Sequence, residues 1–556
     1  MVKVYTSKAM TKPLDIQNNF ERAQAEVAAA RAAGAQLVVF PQGFLTGVQL
    51  GMLADARYMK NLYNSMVKKL AAANPDIYIL ADVYDGQQFK NAICHGDSIL
   101  QADRFDIDGI TFTSFNSAQR LRRTEHGGMP DCVILNESAP VLAGTRRLLH
   151  RMLAQLQMNI NGYVIACLGG YGFTSHPDVY LPATAYISPC EDYFTTTLPE
   201  FLNGRNVFDT DEAGTRAVSF DLPSLDFDIV FNKNPLVPAQ LDEREYCLDL
   251  FHLQSVSLAA RMTNIGCKRA VVALSGGLDS ALALLVTVNA YDLMGLDRSG
   301  IKVITMPGFG TSNTTKGLAG DLAASLGLEL ELIDITPACR QALLDIGHDA
   351  ATPDVTFENV QARMRTLNGL NIANAIGGIM VGTGDLSEVC LGFSTYGGDH
   401  LASYSVNTSV SKTVIRTMLP YVTALDNLKS AQKPIDDILN IPVSPELVPH
   451  GGEILQKTEE ILAPYKLIDF YIYCFIVAKM SPIEMAQRAS CVFEGEFTAS
   501  YLREKAQMLC RRFITGQFKR SAAPEGAALT HAHLGGRARS LPSDSSMGIF
   551  NHYLNI

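Results

Sequence analysis

Residues 270–280 read AVVALSGGLDS. An apolar run rich in valine stops at two glycines, and the helix-forming ALALLVTVNAYDLMG follows at once. The pattern predicts a strand, a tight turn and a helix, the unit from which parallel α/β sheets are built. Paired glycines let the backbone turn sharply, so that free N–H groups and the helix N-terminus face one small volume and can surround a phosphate. Asp279 beside that turn is a carboxylate suited to magnesium, whose charge offsets that of phosphate oxygens. The hexapeptide has neither the GKS/GKT ending of the Walker loop nor the GxGxxG spacing of dinucleotide binders. A plain glycine turn would account for GG alone; SGGLDS between strand and helix points to a phosphate site.

Working outward, GIKVITMPGFG reads as a second strand with its loop, TTKGLAGDLAASLG as a helix and LELELIDI as a third strand. IMVG at 379–382 is another strand, and from about residue 420 the pattern becomes mainly helical. Toward the N-terminus the rhythm recurs. ERAQAEVAAARAAGA is a helix closed by glycine before the strand QLVVF, and MVKKLAAANP precedes IYILADV. PDCVILNESAP adds a strand ending in polar residues, and RRLLHRMLAQLQMNINGYVIACLGG adds a helix and a strand. FDIDGITFTSF reads as antiparallel or mixed strands. Two α/β domains are expected, 1–235 and 236–556. The segment from QFKRSAAPEG to the last glycines is either a disordered tail or a lid over a site.

The 556 residues are 47% hydrophobic and 18% charged, with no tryptophan and a formal charge of -10. An acidic balance disfavours a bulk nucleic-acid binder, and no run is long and apolar enough for a membrane helix. The start, MVKVYTSKAMTKPLD, shows no apolar leader. Eleven cysteines stand singly without CxxC spacing, which argues against a disulfide framework or structural zinc. A cytoplasmic location is expected. Cys390 reads as packing, and His348 and His400 have no partners at metal spacing.

SGGLDS resembles the pyrophosphate loop of the N-type ATP pyrophosphatases. PDVTFENVQARMRT, GGIMVGTGDLSEVCLGFSTYGGDH, YSVNTSVSKT and QFKRSA together resemble the synthetase domain of the glutamine-dependent NAD+ synthetase family. The likeness runs over about residues 240–556. It implies an adenine nucleotide alpha hydrolase-like, Rossmann-like parallel-sheet domain that joins ATP, deamido-NAD+ and ammonia. Carried over residue by residue, Ser275, Gly276, Gly277, Leu278, Asp279, Ser280, Met306, Thr383 and Lys412 would contact ATP. Asp279 and Glu388 would hold magnesium. Asn359, Arg363, Glu388, Phe393, Ser394, Thr395, Tyr396 and Lys519 would line the deamido-NAD+ pocket. Asp279, Glu388 and Lys412 would serve catalysis, with Asp399 as a base for ammonia. ATP and Mg2+ are the expected cofactors, with no flavin, haem or zinc, and a homo-oligomer is expected.

The first half is similar to the nitrilase-like glutaminases of that family, an αββα sandwich that uses a glutamate base, a lysine and a nucleophilic cysteine. Here Phe40-Pro41-Gln42 stands where FPE is expected, and an amide is far too weak a base. ILQADRFDI offers Arg104 where a lysine is expected, and GITFTSFNS offers Ser114 and no cysteine. Cys190 in CEDYF mimics a nucleophile's surroundings, but in a late strand or hairpin. The expectation is an inactive glutaminase domain, with ammonia from solution or from a separate glutaminase. Three other readings are a working glutaminase with unrecognised residues, an amide-forming ligase on another carboxylate, and a non-catalytic scaffold.

Overall fold

The computed structural model describes residues 1–50, 53–54, 56–123, 130–160, 162–170, 172–173, 179–180, 182–195, 200, 203–210, 229–310, 313–440 and 462–534. The chain divides into two compact units, Met1–Asp226 and Phe227–Ile556, so the junction expected at 235/236 falls inside the second.

The first unit has four layers. One six-stranded sheet runs in the order Val207–Thr210, Val2–Thr6, Leu37–Val39, Tyr78–Tyr84, Phe89–His95, Ser98–Leu100. The other runs Asp192–Phe194, Ala183–Ile187, Tyr163–Leu168, Cys132–Leu135, Ile110–Phe115, Arg104–Ile107. Strand alternation sends one set of side chains inward from each sheet. Val2, Val4, Leu37, Val39 and Leu80 thereby meet Phe112, Cys132, Ile134, Ile165 and Cys167 in a core between the sheets. The opposite faces are covered by helices. Phe20, Ala23 and Val27 of Ile16–Ala32 and Tyr63, Val67 and Leu70 of Arg57–Ala72 pack on the first sheet. Met152, Leu153 and Leu156 of Thr145–Ile160 pack on the second. This is the αββα sandwich that the sequence led us to expect. FDIDGITFTSF forms an antiparallel pair, with Arg104–Ile107 against Ile110–Phe115.

The second unit carries a five-stranded, wholly parallel sheet in the order Leu330–Leu332, Ile301–Thr305, Ala270–Ala273, Ile379–Gly382, Tyr404–Ser405. Helix Leu278–Met294 is apolar nearly all round and accordingly buried along most of its length, as a helix packed on several sides must be. Beyond the sheet the chain is helical, through Tyr465–Ile472, Pro482–Val492, Ala499–Thr515 and Gln517–Ser521. Residues 522–534 run alongside the edge strand, where Ser405 N donates to Glu525 O at 2.9 Å and Ser405 bridges Gly526. The segment expected as tail or lid is therefore packed as far as 534; the rest of it lies outside the described residues.

Candidate active site

The second sheet grows outward from Ala270–Ala273 to Leu330–Leu332 and then returns to add Ile379–Gly382 on the other side. Loops after the two strands flanking such a reversal part from each other and leave a crevice at the strands' carboxyl ends. SGG follows one of these strands and Thr383-Gly384-Asp385 the other.

In the SGG turn Gly276 adopts φ +87°, a left-handed value that a side chain would strain. Two serines brace the turn. Ser280 Oγ accepts from Ser275 N at 3.2 Å and donates to Gly277 O at 3.0 Å, while Ser275 Oγ accepts from Gly277 N at 3.2 Å. Gly277 is the N-cap, and no side chain caps the helix that starts at Leu278. Its first amides thus stay open to an anion. Met306 directly follows the neighbouring strand Ile301–Thr305, buried, with its carbonyl accepting from Arg365 Nε at 3.0 Å.

Asp279, in the helix's first turn, faces Asp385 and Glu388 from the second loop. Carboxylate oxygens of the three lie within 4.8 Å of one another. Lys412 Nζ sits among them, 2.5 Å from Asp279 Oδ2, 2.6 Å from Asp385 Oδ2 and 3.1 Å from Glu388 Oε1. Its side chain is 2% exposed, and the Tyr465 ring lies 5.4 Å from Nζ. Burial raises the Asp279 carboxyl's pKa, against the pull of Lys412, and lifts Glu388 well above the usual carboxylate range. Burial also works against the Lys412 ammonium, but the three carboxylates outweigh it and hold that charge firmly. Lys412 Nζ thus pairs with all three carboxylates.

Residues that the motifs did not single out position this cluster. Asp385 is the buried N-cap of Leu386–Leu391 and accepts from Glu388 N at 3.0 Å; Asp-Leu-Ser-Glu was its signature. Asn407 donates to Asp279 O at 2.9 Å and Thr383 O at 3.1 Å, tying the two loops together, and itself accepts from Gln254 Nε2 at 3.0 Å. Asp469 accepts from Ser387 Oγ at 2.6 Å and from Thr413 N and Oγ1 at 2.9 and 2.6 Å. Ser387 Oγ in turn accepts from Lys412 N at 3.1 Å. A lone aspartate inside the apolar run YKLIDFYI was the only signal for Asp469.

Glu388 also borders a half-open cavity lined by Ser394, Asp399, His400, Ser405 and Lys519 among others. Lys519, on Gln517–Ser521, donates to Gly392 O at 2.8 Å and Ser394 O at 2.6 Å. Burial lowers its pKa. Thr395 links two further predicted residues. Its N–H donates to Asp399 Oδ1 at 2.6 Å and its hydroxyl to Asn359 Oδ1 at 2.8 Å. Arg363 Nε donates to Tyr396 O at 3.1 Å. The Tyr396 ring packs against His400 and the Phe518 ring, each with centroids 5.4 Å away, and Arg512 lies over Phe393. Asn359, Arg363, Phe393–Tyr396 and Lys519 are therefore gathered on one side of the crevice.

In the first unit, Gln42 follows the strand Leu37–Val39. Its main chain donates to Asn136 O at 3.1 Å and accepts from Ser138 Oγ at 2.7 Å. Asn136 Nδ2 donates to Asn91 Oδ1 at 3.0 Å, and Asn91 Nδ2 donates to Ser114 Oγ at 3.0 Å. Gln42 and Ser114 thus belong to one buried polar network, and Asn136, a residue the motifs did not mark, stands between them. Arg104 is exposed on its edge strand, Cys190 is exposed in the turn before Asp192–Phe194, and Cys132 and Cys167 are core. The nearby carboxyls have structural partners. Asp82 accepts from Gly43 N at 2.8 Å and Tyr63 OH at 2.6 Å, and Glu137 accepts from Ala118 N at 3.2 Å.

Residues 252–522 match the family model for NAD synthase. The match lies wholly within the second unit and covers just under half of the chain. A glutamine-dependent NAD(+) synthetase of Mycobacterium bovis is 35% identical over 321 residues, which are 53% of this chain and 47% of the relative. The chain spans about half the length of the curated relatives it matches. Among solved structures, a glutamine-dependent NAD(+) synthetase from Cytophaga hutchinsonii superposes over 100% of both chains with a TM-score of 0.73 at 13% identity. One from Acinetobacter baumannii, complexed with ADP, covers 98% of each at 0.62 and 16%. At such identity these two show the fold, and they show it for both units. Within the second unit the match runs from the helix before SGGLDS through Gln517–Ser521, and so takes in every predicted residue of the crevice. Among the described residues no helix is long and apolar enough to cross a membrane.

Proposed function

We propose that this chain is an ATP-dependent NAD+ synthetase that amidates deamido-NAD+ through an adenylated carboxylate, using ammonia not made by its own first unit. One observation carries the reading. An uncapped helix N-terminus and a lysine–carboxylate cluster share a switch-point crevice with a cavity ringed by Asp399, His400 and Lys519.

In this reading the SGG turn and the open amides of Leu278–Met294 hold the phosphates, and Lys412 adds positive charge. The nicotinate carboxylate oxygen attacks the α-phosphorus, and the bond to pyrophosphate breaks with its electron pair leaving on pyrophosphate. The carboxyl carbon now carries AMP, a far better leaving group than oxide. Ammonia's lone pair attacks that carbon, AMP departs, and nitrogen sheds one proton. Asp399 borders the cavity, and burial raises its proton affinity, which suits it to take that proton.

The donor set fits magnesium: three carboxylates within 4.8 Å, with Asp279 Oδ1 buried and lacking a hydrogen-bond partner. Asp279, Asp385 and Glu388 are the residues that would hold it, and when bound it neutralises phosphate charge. In the first unit Gln42, Arg104 and Ser114 supply neither base nor thiol, and Asp82 and Glu137 are committed to backbone and tyrosine partners. That unit serves as a scaffold or assembly surface. A second reading, glutamine-dependent synthesis, draws support from the names of the relatives.

The test supplies ATP, magnesium and deamido-NAD+ with ammonium or with glutamine, and follows NAD+ and glutamate. NAD+ from ammonium with no glutamate from glutamine is expected. Glutamate release at a rate matching NAD+ formation overturns the inactive first unit; no NAD+ under either condition overturns the synthetase.

A further inference from the structure

Lys412 is the unusual member of the crevice. Its ammonium fills the space among three carboxylates that a divalent cation would need, with contacts of 2.5, 2.6 and 3.1 Å. We propose that Lys412 is a tethered cation that plugs the carboxylate site of the nucleotide-free protein, so that a free divalent cation binds weakly and enters together with nucleotide. The nucleotide half of this inference rests on the synthetase reading above; the plug itself rests on the cluster.

Three features support it. A charge on the same chain competes at a high effective concentration, so an incoming cation must displace a partner that never diffuses away. The lysine's main chain is fixed independently of its ammonium. Lys412 N donates to Ser387 Oγ, which Asp469 holds, and Asp469 also takes Thr413 N, so the helix start stays in place when the four-carbon stem swings. The ammonium also has somewhere to go. Glu388 borders the cavity, and the uncapped N-terminus of Leu278–Met294 sits one residue from Asp279. Phosphates arriving there offer the ammonium an anionic partner, and its departure frees the carboxylates. Cation and nucleotide then raise each other's affinity by the same factor.

The experiment measures Mn2+ binding to the full chain by electron paramagnetic resonance, with and without α,β-methylene ATP. Wild type is expected to bind Mn2+ at least about tenfold tighter with the nucleotide, and Lys412→Met at least about tenfold tighter than wild type without it. Equal Mn2+ affinity of wild type and folded Lys412→Met in the absence of nucleotide overturns the plug. If Lys412→Met does not fold, Lys412→Gln replaces it, and the wild-type pair with and without nucleotide decides independently: no change in Mn2+ affinity on saturating with nucleotide overturns the proposal. Nucleotide binding is followed separately by calorimetry. Its absence sinks the synthetase reading, while Mn2+ binding gained by Lys412→Met alone still upholds the plug.

Discussion

Lys412 Nζ stands 2.5 Å from Asp279 Oδ2, although 133 positions separate the two residues. One begins the helix Lys412–Val422 and the other lies in the first turn of Leu278–Met294, so the contact closes the crevice between the phosphate turn and the second loop. Asp279→Asn keeps the side chain's shape and removes its charge. NAD+ formation from ammonium should fall at least about 100-fold, the scale of losing one preorganised electrostatic group. Circular dichroism should stay as in wild type, because Asp385 and Glu388 still hold the lysine. Activity above a tenth of wild type would show that Asp279 is dispensable.

Asp469 should matter for stability before chemistry. Asp469→Ala leaves the Ser387 hydroxyl and both Thr413 donors without their buried acceptor. Unmet buried groups cost about 1–3 kcal/mol each, so a loss of about 3 kcal/mol is expected in urea unfolding of the second unit. Asp469→Asn retains one oxygen and should recover part of it. Equal stability of all three proteins would refute the clamp.

Lys519 holds the Gly392–Ser394 backbone through two hydrogen bonds, beside the cavity. A charged hydrogen bond is worth about 1.5–3 kcal/mol, so Lys519→Met should raise KM for deamido-NAD+ roughly 10- to 100-fold. KM for ATP should change little, since Lys519 belongs to the other side of the crevice. A larger effect on ATP would reassign it.

Gln42→Glu should not create a glutaminase. The new carboxylate would enter a network of Asn91, Ser114 and Asn136 that offers no thiol. Glutamate release from glutamine should remain at the background of wild type. Measurable release would mean that a nucleophile is present after all.

The sequence disclosed the layered folds because alternation and helical period are local signals, as AVVALSGGLDS and QLVVF show. It also disclosed both faces of the crevice, since SGGLDS, FSTY and QFKRS are contiguous words. Asp385, Asn407 and Asp469 escaped because their importance arises from distant partners: Asn407 joins Asp279 to Thr383, and Asp469 joins Ser387 to Thr413. Asn136 escaped for the same reason, as its link to Gln42 runs through the main chain between strands that are far apart in sequence. The grouping of Lys412 Nζ with three carboxylates is likewise a property of three-dimensional charge balance that no motif encodes.

Asp82 offers a pH test in the first unit. It is fully buried, accepting from Gly43 N and Tyr63 OH, and burial pushes its carboxyl up to about 7. An unfolded aspartate ionises near pH 4, so between about pH 4 and 7 the folded unit holds a proton that the unfolded chain has released. Folding therefore binds protons in that window, and stability must fall as pH rises through it, by about 1.4 kcal/mol for each tenfold difference in proton affinity. Below the window both states are protonated and the contribution is fully present. Asp82→Asn cannot ionise, so the slope should flatten, while its amide still accepts from one neighbour. Hydrogen-exchange protection of the strand Tyr78–Tyr84, corrected for intrinsic rates at pH 5, 6 and 7, should decline in wild type and stay more nearly level in Asp82→Asn. Protection that stays level with pH in wild type would mean that the Asp82 carboxylate is ionised throughout.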